Sequence, residues 1–213
     1  MSDDVHAMTT RNRLALAAVL SSLEERQWSA PTLCAGWTVR VLAGHLLQPV
    51  SVGFGRFFLA AVRHRGDTDA TVDALARRLA RPSPQDLVAT MRRCAGDRVS
   101  PPRVGPMGPF AETCIHLRDL ARPLGLDADV PLDHWTRLLT YLAGPDAAPA
   151  LVPPGRLTGL ALHATDASWS AGAGAAVEGP AEALAMAATG RAEALHELTG
   201  PGRDELASRL SRA

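Results

Sequence analysis

The stretch Phe110-Ala-Glu-Thr-Cys-Ile-His-Leu-Arg-Asp-Leu-Ala-Arg-Pro-Leu-Gly125 sets Glu112 and His116 four residues apart. On an α-helix that spacing puts both side chains on one face, a turn apart. A carboxylate oxygen and an imidazole nitrogen so placed can grip one metal ion from one side. They cannot close a tetrahedral shell alone. The same spacing also suits a helix-surface hydrogen bond worth about 0.2–0.5 kcal/mol. The choice between the two readings turns on whether the rest of the chain supplies a third ligand.

The chain has 213 residues, enough for one large domain or one domain with a small appendage. Its 46% hydrophobic share is ordinary for a chain that buries a core. No apolar run reaches the roughly 18 residues of a membrane span, and Met1-Ser-Asp-Asp4 has no signal-peptide layout. With 22 basic and 22 acidic residues the formal net charge is zero, which argues against a nucleic-acid partner. All the basic residues are Arg, so lysine Schiff bases, lysine general bases and phosphate-loop lysines are excluded. Cys34, Cys94 and Cys114 are an odd set with no CxxC pair, which fits a reduced cytoplasmic location and disfavours a cysteine-type zinc site.

In chain order, helical spacing runs from about Val5 to Gln27, with Met8, Leu16, Val19, Leu20 and Leu23 as its apolar positions. Turn formers through Gly36 end it. Thr38 is a good N-cap for a second helix, in which Val41, Leu42, His45 and Leu46 share a face, and Pro49 kinks or ends it. Phe54, Phe57, Phe58 and Val62 resume the pattern and read as core. Residues 71–98 read as helix interrupted at Arg81-Pro-Ser-Pro84, where Ser83 caps the restart. Val99 to Pro109, rich in Pro and Gly, reads as an irregular loop. Pro131 to Gly144 is a further amphipathic helix, and Pro145 to Gly155 reads as a linker. After it the period changes. Leu157, Leu160 and Leu162 suit a strand, residues 164–174 a hairpin and Ala175–Gly179 a second strand. Pro180 opens a helix through Ala188, and short closing helices surround Gly200. The reading is a mainly α chain with a small α+β part: residues 1–146 form a helical domain, the candidate metal-binding bundle, and residues 147–213 a small α+β domain.

His45 is the candidate third ligand. It faces inward on the second helix, and bundle cores are a recurrent place for metal sites. A lone histidine on an apolar face is also a common core residue. With Glu112 and His116 it would give two nitrogens and one carboxylate, the three-ligand pattern of catalytic zinc with an open fourth position.

Trp28-Ser-Ala-Pro-Thr-Leu-Cys-Ala-Gly-Trp-Thr-Val-Arg40 with His45-Leu46 resembles the N-terminal signature of the mycothiol-dependent maleylpyruvate isomerase family, among the DinB-like four-helix bundles. Glu112 to Gly125 resembles that family's second metal segment. Leu160 to Gly172 and Gly179 to Arg191 resemble its sterol-carrier-like C-terminal domain. The resemblance covers nearly the whole chain. It implies a divalent metal, usually zinc, held by His45, Glu112 and His116, with mycothiol as the low-molecular-weight thiol partner. It implies a small electrophilic substrate, a monomer or homodimer, and neither membrane nor nucleic-acid partners. A thiolate stabilised by the metal could add to an activated double bond, let it rotate and leave, which is isomerisation. It could instead displace a leaving group and stay, which is S-transfer. A non-catalytic metal- or ligand-binding protein and a metal hydrolase are the alternative classes.

Arg191 matches an arginine of the family's C-terminal domain that faces the site, where its planar fork suits a substrate carboxylate. It reads equally as a charge partner for a helix C-terminus. Asp119 reads as an outer partner that orients a ligand or as a solvated surface acid. Cys34 and Cys114 read as redox-active thiols or as core residues. Val41 stands where the family often has an acid, so the capping box at Thr38 is lost. The chain is also short between the two metal segments, so the family's substrate does not carry over.

Overall fold

The structure is a computed structural model and describes residues 2–102 and 104–211. It is mainly helical, with a small sheet near the C-terminal end, the fold class read from the sequence. By contact density it divides into Met1–Asp129 and Val130–Ala213.

The first unit is a helical bundle. Helix α1 (Ser2–Ser22) buries Val5, Leu16 and Leu20, together with the polar Asn12 and Arg13. It stops five residues before the expected Gln27, and a short 3-10 turn at Glu25–Ser29 follows, with Trp28 buried. Helix α2 (Val39–Leu46) starts on the expected cap, the Thr38 hydroxyl accepting from the Val41 amide. The backbone changes direction at Leu47, and a one-turn helix α3 (Gln48–Ser51) carries Pro49 in its first turn, where no N–H is needed. Helices α4 (Phe54–Arg63), α5 (Thr68–Leu79) and α6 (Pro84–Arg93) follow, α5 and α6 capped by the side chains of Asp67 and Ser83.

Helix α7 (Met107–Leu124) starts earlier than expected. Met107 to Pro109, read as loop, form its first turn. Proline is tolerated there because the first amides of a helix have no intrahelical acceptor. Arg103, in the same stretch, lies outside the described residues. The helix is buried nearly all round: Phe110, Ile115, Leu117 and Leu120 keep 1% exposure or less. Burying each such side chain contributes about 1.5–3 kcal/mol. Gly125 closes it with a left-handed backbone, φ 62°. α1 packs on α6 and α7, and α2 packs on α5 and α7.

Helix α4 corrects the sequence reading. Phe54, Phe58 and Val62, expected in the core, are 73%, 61% and 59% exposed, and Phe57 is only half-buried. Their spacing does make one apolar face. The breaks at Leu47 and at Val52-Gly53 turn that face away from the bundle, and α4 leans on α5.

The second unit begins before helix α8 (Leu132–Leu142), whose buried Trp135, Leu138, Leu139 and Leu142 face α9 (Ala181–Ala188). The Pro145–Gly155 stretch is a series of turns inside this unit. Strands β1 (Leu160–Ala164), β2 (Ser170–Gly172) and β3 (Ala175–Gly179) form one sheet in the order β2-β1-β3 among the described residues. The β1–β2 hairpin is antiparallel, with Ala161 opposite Gly172, and β3 runs parallel to β1. Asp166 in the hairpin accepts the Ala181 amide at 2.9 Å and so satisfies the start of α9. Helix α10 (Arg203–Leu210) ends the described chain; its Arg209 donates to the carbonyls of Gly155, Arg156 and Thr158.

At Gly44 the backbones of α2 and α5 nearly touch. A Cβ there would lie 2.4 Å from the Ala76 carbonyl oxygen and 2.8 Å from the Ala80 nitrogen. Overpacking costs about 1–3 kcal/mol, against at most about 1 kcal/mol that alanine gains over glycine within a helix. Backbone obstacles cannot rotate aside, so G44A is expected to lower stability by about 1–2 kcal/mol net, read as a fall in the thermal midpoint. An unchanged midpoint would show that α2 and α5 separate freely.

Candidate metal centre

Three side chains from two helices of the first unit meet at one point. Glu112 and His116 project one turn apart from α7, and α2 brings His45 across to them. His45 Nε2 and His116 Nε2 each lie 2.7 Å from the same oxygen, Glu112 Oε2. The two imidazoles are perpendicular, with centroids 4.9 Å apart. The donor atoms of His45, Glu112 and His116 all lie within 4.8 Å of one another. The structure thus brings together all three residues singled out as ligands from the sequence.

The electrostatics follow from that crowding. Removal from water would push the Glu112 carboxyl up, but the His116 charge and hydrogen bonds from both histidines outweigh it, holding the group well below its ordinary value. For His116, removal from water would lower the pKa. The Glu112 carboxylate, together with the bond to Asp119, overcomes this and holds the imidazole well above its ordinary value. His45 Nδ1 is buried with no hydrogen-bond partner. A buried polar atom left unpaired costs about 1–3 kcal/mol.

The donor set fits a divalent cation. One carboxylate oxygen and two imidazole nitrogens are borderline ligands suited to zinc and its neighbours. The arrangement behind His116 fits as well: its Nδ1–H donates to Asp119 Oδ2 at 2.8 Å, and Asp119 is fully buried. That bond keeps a proton on Nδ1, so Nε2, once the proton it shares with Glu112 is displaced, would offer its lone pair to a cation, as in carboxylate–histidine–metal sets. Exposure rises toward the opposite side, from none at Asp119 through 9% at His116 to 31% at the Glu112 side chain. The ligand cluster is therefore reachable from the Glu112 side and closed behind His116.

The Pro31–Trp37 loop braces the histidines from behind. The Trp37 ring lies against His45, centroids 4.9 Å apart, and its indole N–H donates to Asp73 at 2.9 Å. Asp73 in turn accepts from Arg77. On the other side, the Cys34 thiol donates to Asp119 Oδ2 at 3.2 Å and lies 3.6 Å from His116 Nδ1. The loop is tied to α7 through backbone as well: the Leu33 amide donates to the Asp119 carbonyl at 3.0 Å. In an α-helix that carbonyl would accept from residue 123, which is proline and has no N–H. Pro123 thereby frees the acceptor that the loop uses.

Sequence reasoning left Asp119 between two readings, and its burial against His116 excludes the solvated surface acid. It missed the contacts of Trp37 and Asp73, although Trp37 lies in the stretch that carried the resemblance. Cys114 is a core residue: burial pushes its thiol far up, and the Asn12 amide is its 3.2 Å neighbour. Arg191 lies in the second unit, at the end of α9. Its guanidinium donates to the Thr189 carbonyl at 2.8 Å, the helix-terminus contact that was one of its two readings, and sits beside Arg156.

Residues 10–106 match the family model described as the mycothiol maleylpyruvate isomerase N-terminal domain. That span includes His45 and ends before Glu112. No curated protein matches the chain. Two solved structures are similar over 94% of this chain and 93% of theirs, each with a TM-score of 0.58. One is a mycothiol-dependent maleylpyruvate isomerase, 15% identical, and the other its histidine-to-alanine mutant, 14% identical. At these identities they establish a shared fold. Residues 10–106 are thus similar to the mycothiol maleylpyruvate isomerase N-terminal domain, and the chain as a whole shares the fold of the two solved structures.

Proposed function

We propose that this chain is a metal- and thiol-dependent enzyme acting on small electrophilic substrates, as an isomerase or an S-transferase. The observation that carries the reading is the convergence of His45 Nε2, Glu112 Oε2 and His116 Nε2, with one side of the cluster reachable. These three residues would hold a divalent cation, zinc by its donor preference. Bound there, the cation would supply the positive charge that lowers the pKa of a thiol. Mycothiol is the thiol proposed, because residues 10–106 are similar to the mycothiol maleylpyruvate isomerase N-terminal domain and the chain shares the fold of a mycothiol-dependent enzyme.

The chain's own residues perform defined tasks in this reading. Glu112 brings a single negative charge, so a divalent site keeps a net positive charge that favours an anionic thiolate over a neutral thiol. His45 and His116 fix two directions of the ligand shell. Asp119 keeps the His116 proton on Nδ1 and leaves Nε2 for the cation. Arg191 is proposed to hold a substrate carboxylate through its planar fork, with the charge of Arg156 beside it adding to the local positive potential.

Three outcomes are expected. The purified protein should bind one divalent cation per chain. His45→Ala, Glu112→Ala and His116→Ala should each weaken binding by more than the roughly 10–100-fold loss typical of an outer-shell change, measured by competition with a chromophoric chelator. Thiol consumption with a panel of electrophiles should require the cation, and turnover with water alone would favour hydrolysis instead.

The pH dependence should differ between metal-free and loaded protein. His116 is raised above 6.5 in the folded chain, so in metal-free protein its contribution is fully present below 6.5 and is lost as pH rises through the folded value. Glu112 is depressed from 4.5, so its contribution is present above 4.5 and is lost as pH falls through the folded value. A cation must displace the His116 proton, so the stabilisation it adds should grow with pH up to that raised value, with affinity rising about tenfold per unit for one proton. Melting curves with and without metal across pH test both signs. Finally, Arg191→Lys keeps the charge and loses the fork. It should raise KM for a carboxylate-bearing substrate about tenfold, the worth of one charged hydrogen bond, and leave KM for the thiol unchanged.

A further inference from the structure

We infer that Cys34 is a positioning residue for the His116 imidazole, acting through Asp119. The inference rests on the metal reading above and adds a residue to it. Asp119 Oδ2 is a shared acceptor: it takes the His116 Nδ1–H at 2.8 Å and the Cys34 thiol at 3.2 Å. Asp119 is fully buried, so water does not reach its lone pairs and their donors come from the protein. Without the thiol that oxygen loses a donor, and the carboxylate gains freedom to rotate away from His116. The Cys34 Sγ, 3.6 Å from Nδ1, also packs against the edge of the ring and limits its tilt.

The local backbone delivers Cys34 to this place. Thr32 accepts the Cys34 amide at 3.2 Å and donates to the Trp37 carbonyl at 3.0 Å, which folds the loop into a compact turn. The Leu33 amide then seats that turn on the Asp119 carbonyl that Pro123 has freed. The main chain of residue 33 and the side chain of residue 34 thus engage the two ends of one residue, Asp119. A merely space-filling cysteine would not need the thiol directed at the oxygen that already holds His116.

Cys34, His116 and Asp119 also present three ligand-type atoms within 4.8 Å of one another. The 2.8 Å His116–Asp119 and 3.2 Å Cys34–Asp119 separations are hydrogen-bond lengths, with each polar atom satisfied by the next. We therefore assign this trio as support for the cation site and not as a second cation site.

The experiment uses Co²⁺ as the metal probe on full-length wild type, C34A, C34S and D119A, reading affinity and the visible ligand-field spectrum, with melting of the metal-free proteins as a fold control. Expected is a loss of about tenfold in Co²⁺ affinity in C34A, the lower end for an outer-shell change, with a shifted ligand-field band. D119A should lose more. C34S, which replaces the thiol with a hydroxyl donor on a side chain of nearly the same shape, should recover most of the affinity and the wild-type band. Equal losses in C34A and C34S, or none in C34A, would overturn the positioning role while leaving the cation site standing. An intense sulfur-to-cobalt charge-transfer absorption that disappears in C34A would make Cys34 a ligand and overturn it likewise. Wild type that takes up no Co²⁺ would remove the metal reading itself, and the positioning role with it.

Discussion

Two imidazole nitrogens cannot rest 2.7 Å from one carboxylate oxygen unless protons or a cation lie between them. That constraint governs the first unit. With protons, one carboxylate oxygen serves two donors at once; the unpaired His45 Nδ1 is not part of this contact and is unpaired in either case. With a cation, the three donor atoms share one partner of higher charge. The folded chain therefore holds a cluster whose unfavourable part is local, and the rest of the bundle must be rigid enough to keep it.

That rigidity comes from ordinary packing placed unusually close to the site. Helix α7 is buried on nearly every side, so Glu112 and His116 ride on an element that cannot roll. Helix α2 is fixed in depth by Gly44, where it meets α5 backbone to backbone, and His45 is the next residue. A shift of α2 by the width of one methyl group would move His45 by a comparable distance, and ligand geometry tolerates only a few tenths of an ångström. The glycine thus sets how far His45 reaches toward Glu112, even though it contributes no side chain.

What was legible in the sequence follows the same division. The i,i+4 pair is visible because a helix has one period, and the Thr38 cap, the hairpin and the helix after Pro180 are visible because their chemistry is local. His45 was legible as a ligand candidate because an inward histidine needs a polar partner. Helix α4 was misread because a spacing of apolar residues defines a face but names no partner for it. The break at Leu47 and Val52-Gly53 decides where that face points. Proline and glycine density made Met107–Pro109 look irregular, although a first helical turn has no amides to lose. Asp119 stayed between two readings because an acid three residues after a histidine looks the same in sequence whether buried or solvated. The role of Cys34 was hidden for a stronger reason: it depends on a contact across 85 residues, and no local pattern carries such a separation.

The proline at position 123 joins these threads. Near the end of a helix it is commonly read as a stop signal, yet α7 runs through it to Leu124 and is closed by Gly125. Its effect falls four residues earlier, at the Asp119 carbonyl, which loses its helical donor. An interior carbonyl without a donor is costly, and the Leu33 amide removes that cost by docking the loop. Ordering the loop costs roughly 1–2 kcal/mol of backbone entropy per residue, so a single hydrogen bond could not hold it. It is held because Thr32, Leu33, Cys34 and Trp37 each make a contact at once, two of them against the histidines. The imidazoles are therefore fixed on folding, so a cation held as proposed would meet them already ordered, and the ordering cost would not fall on its binding.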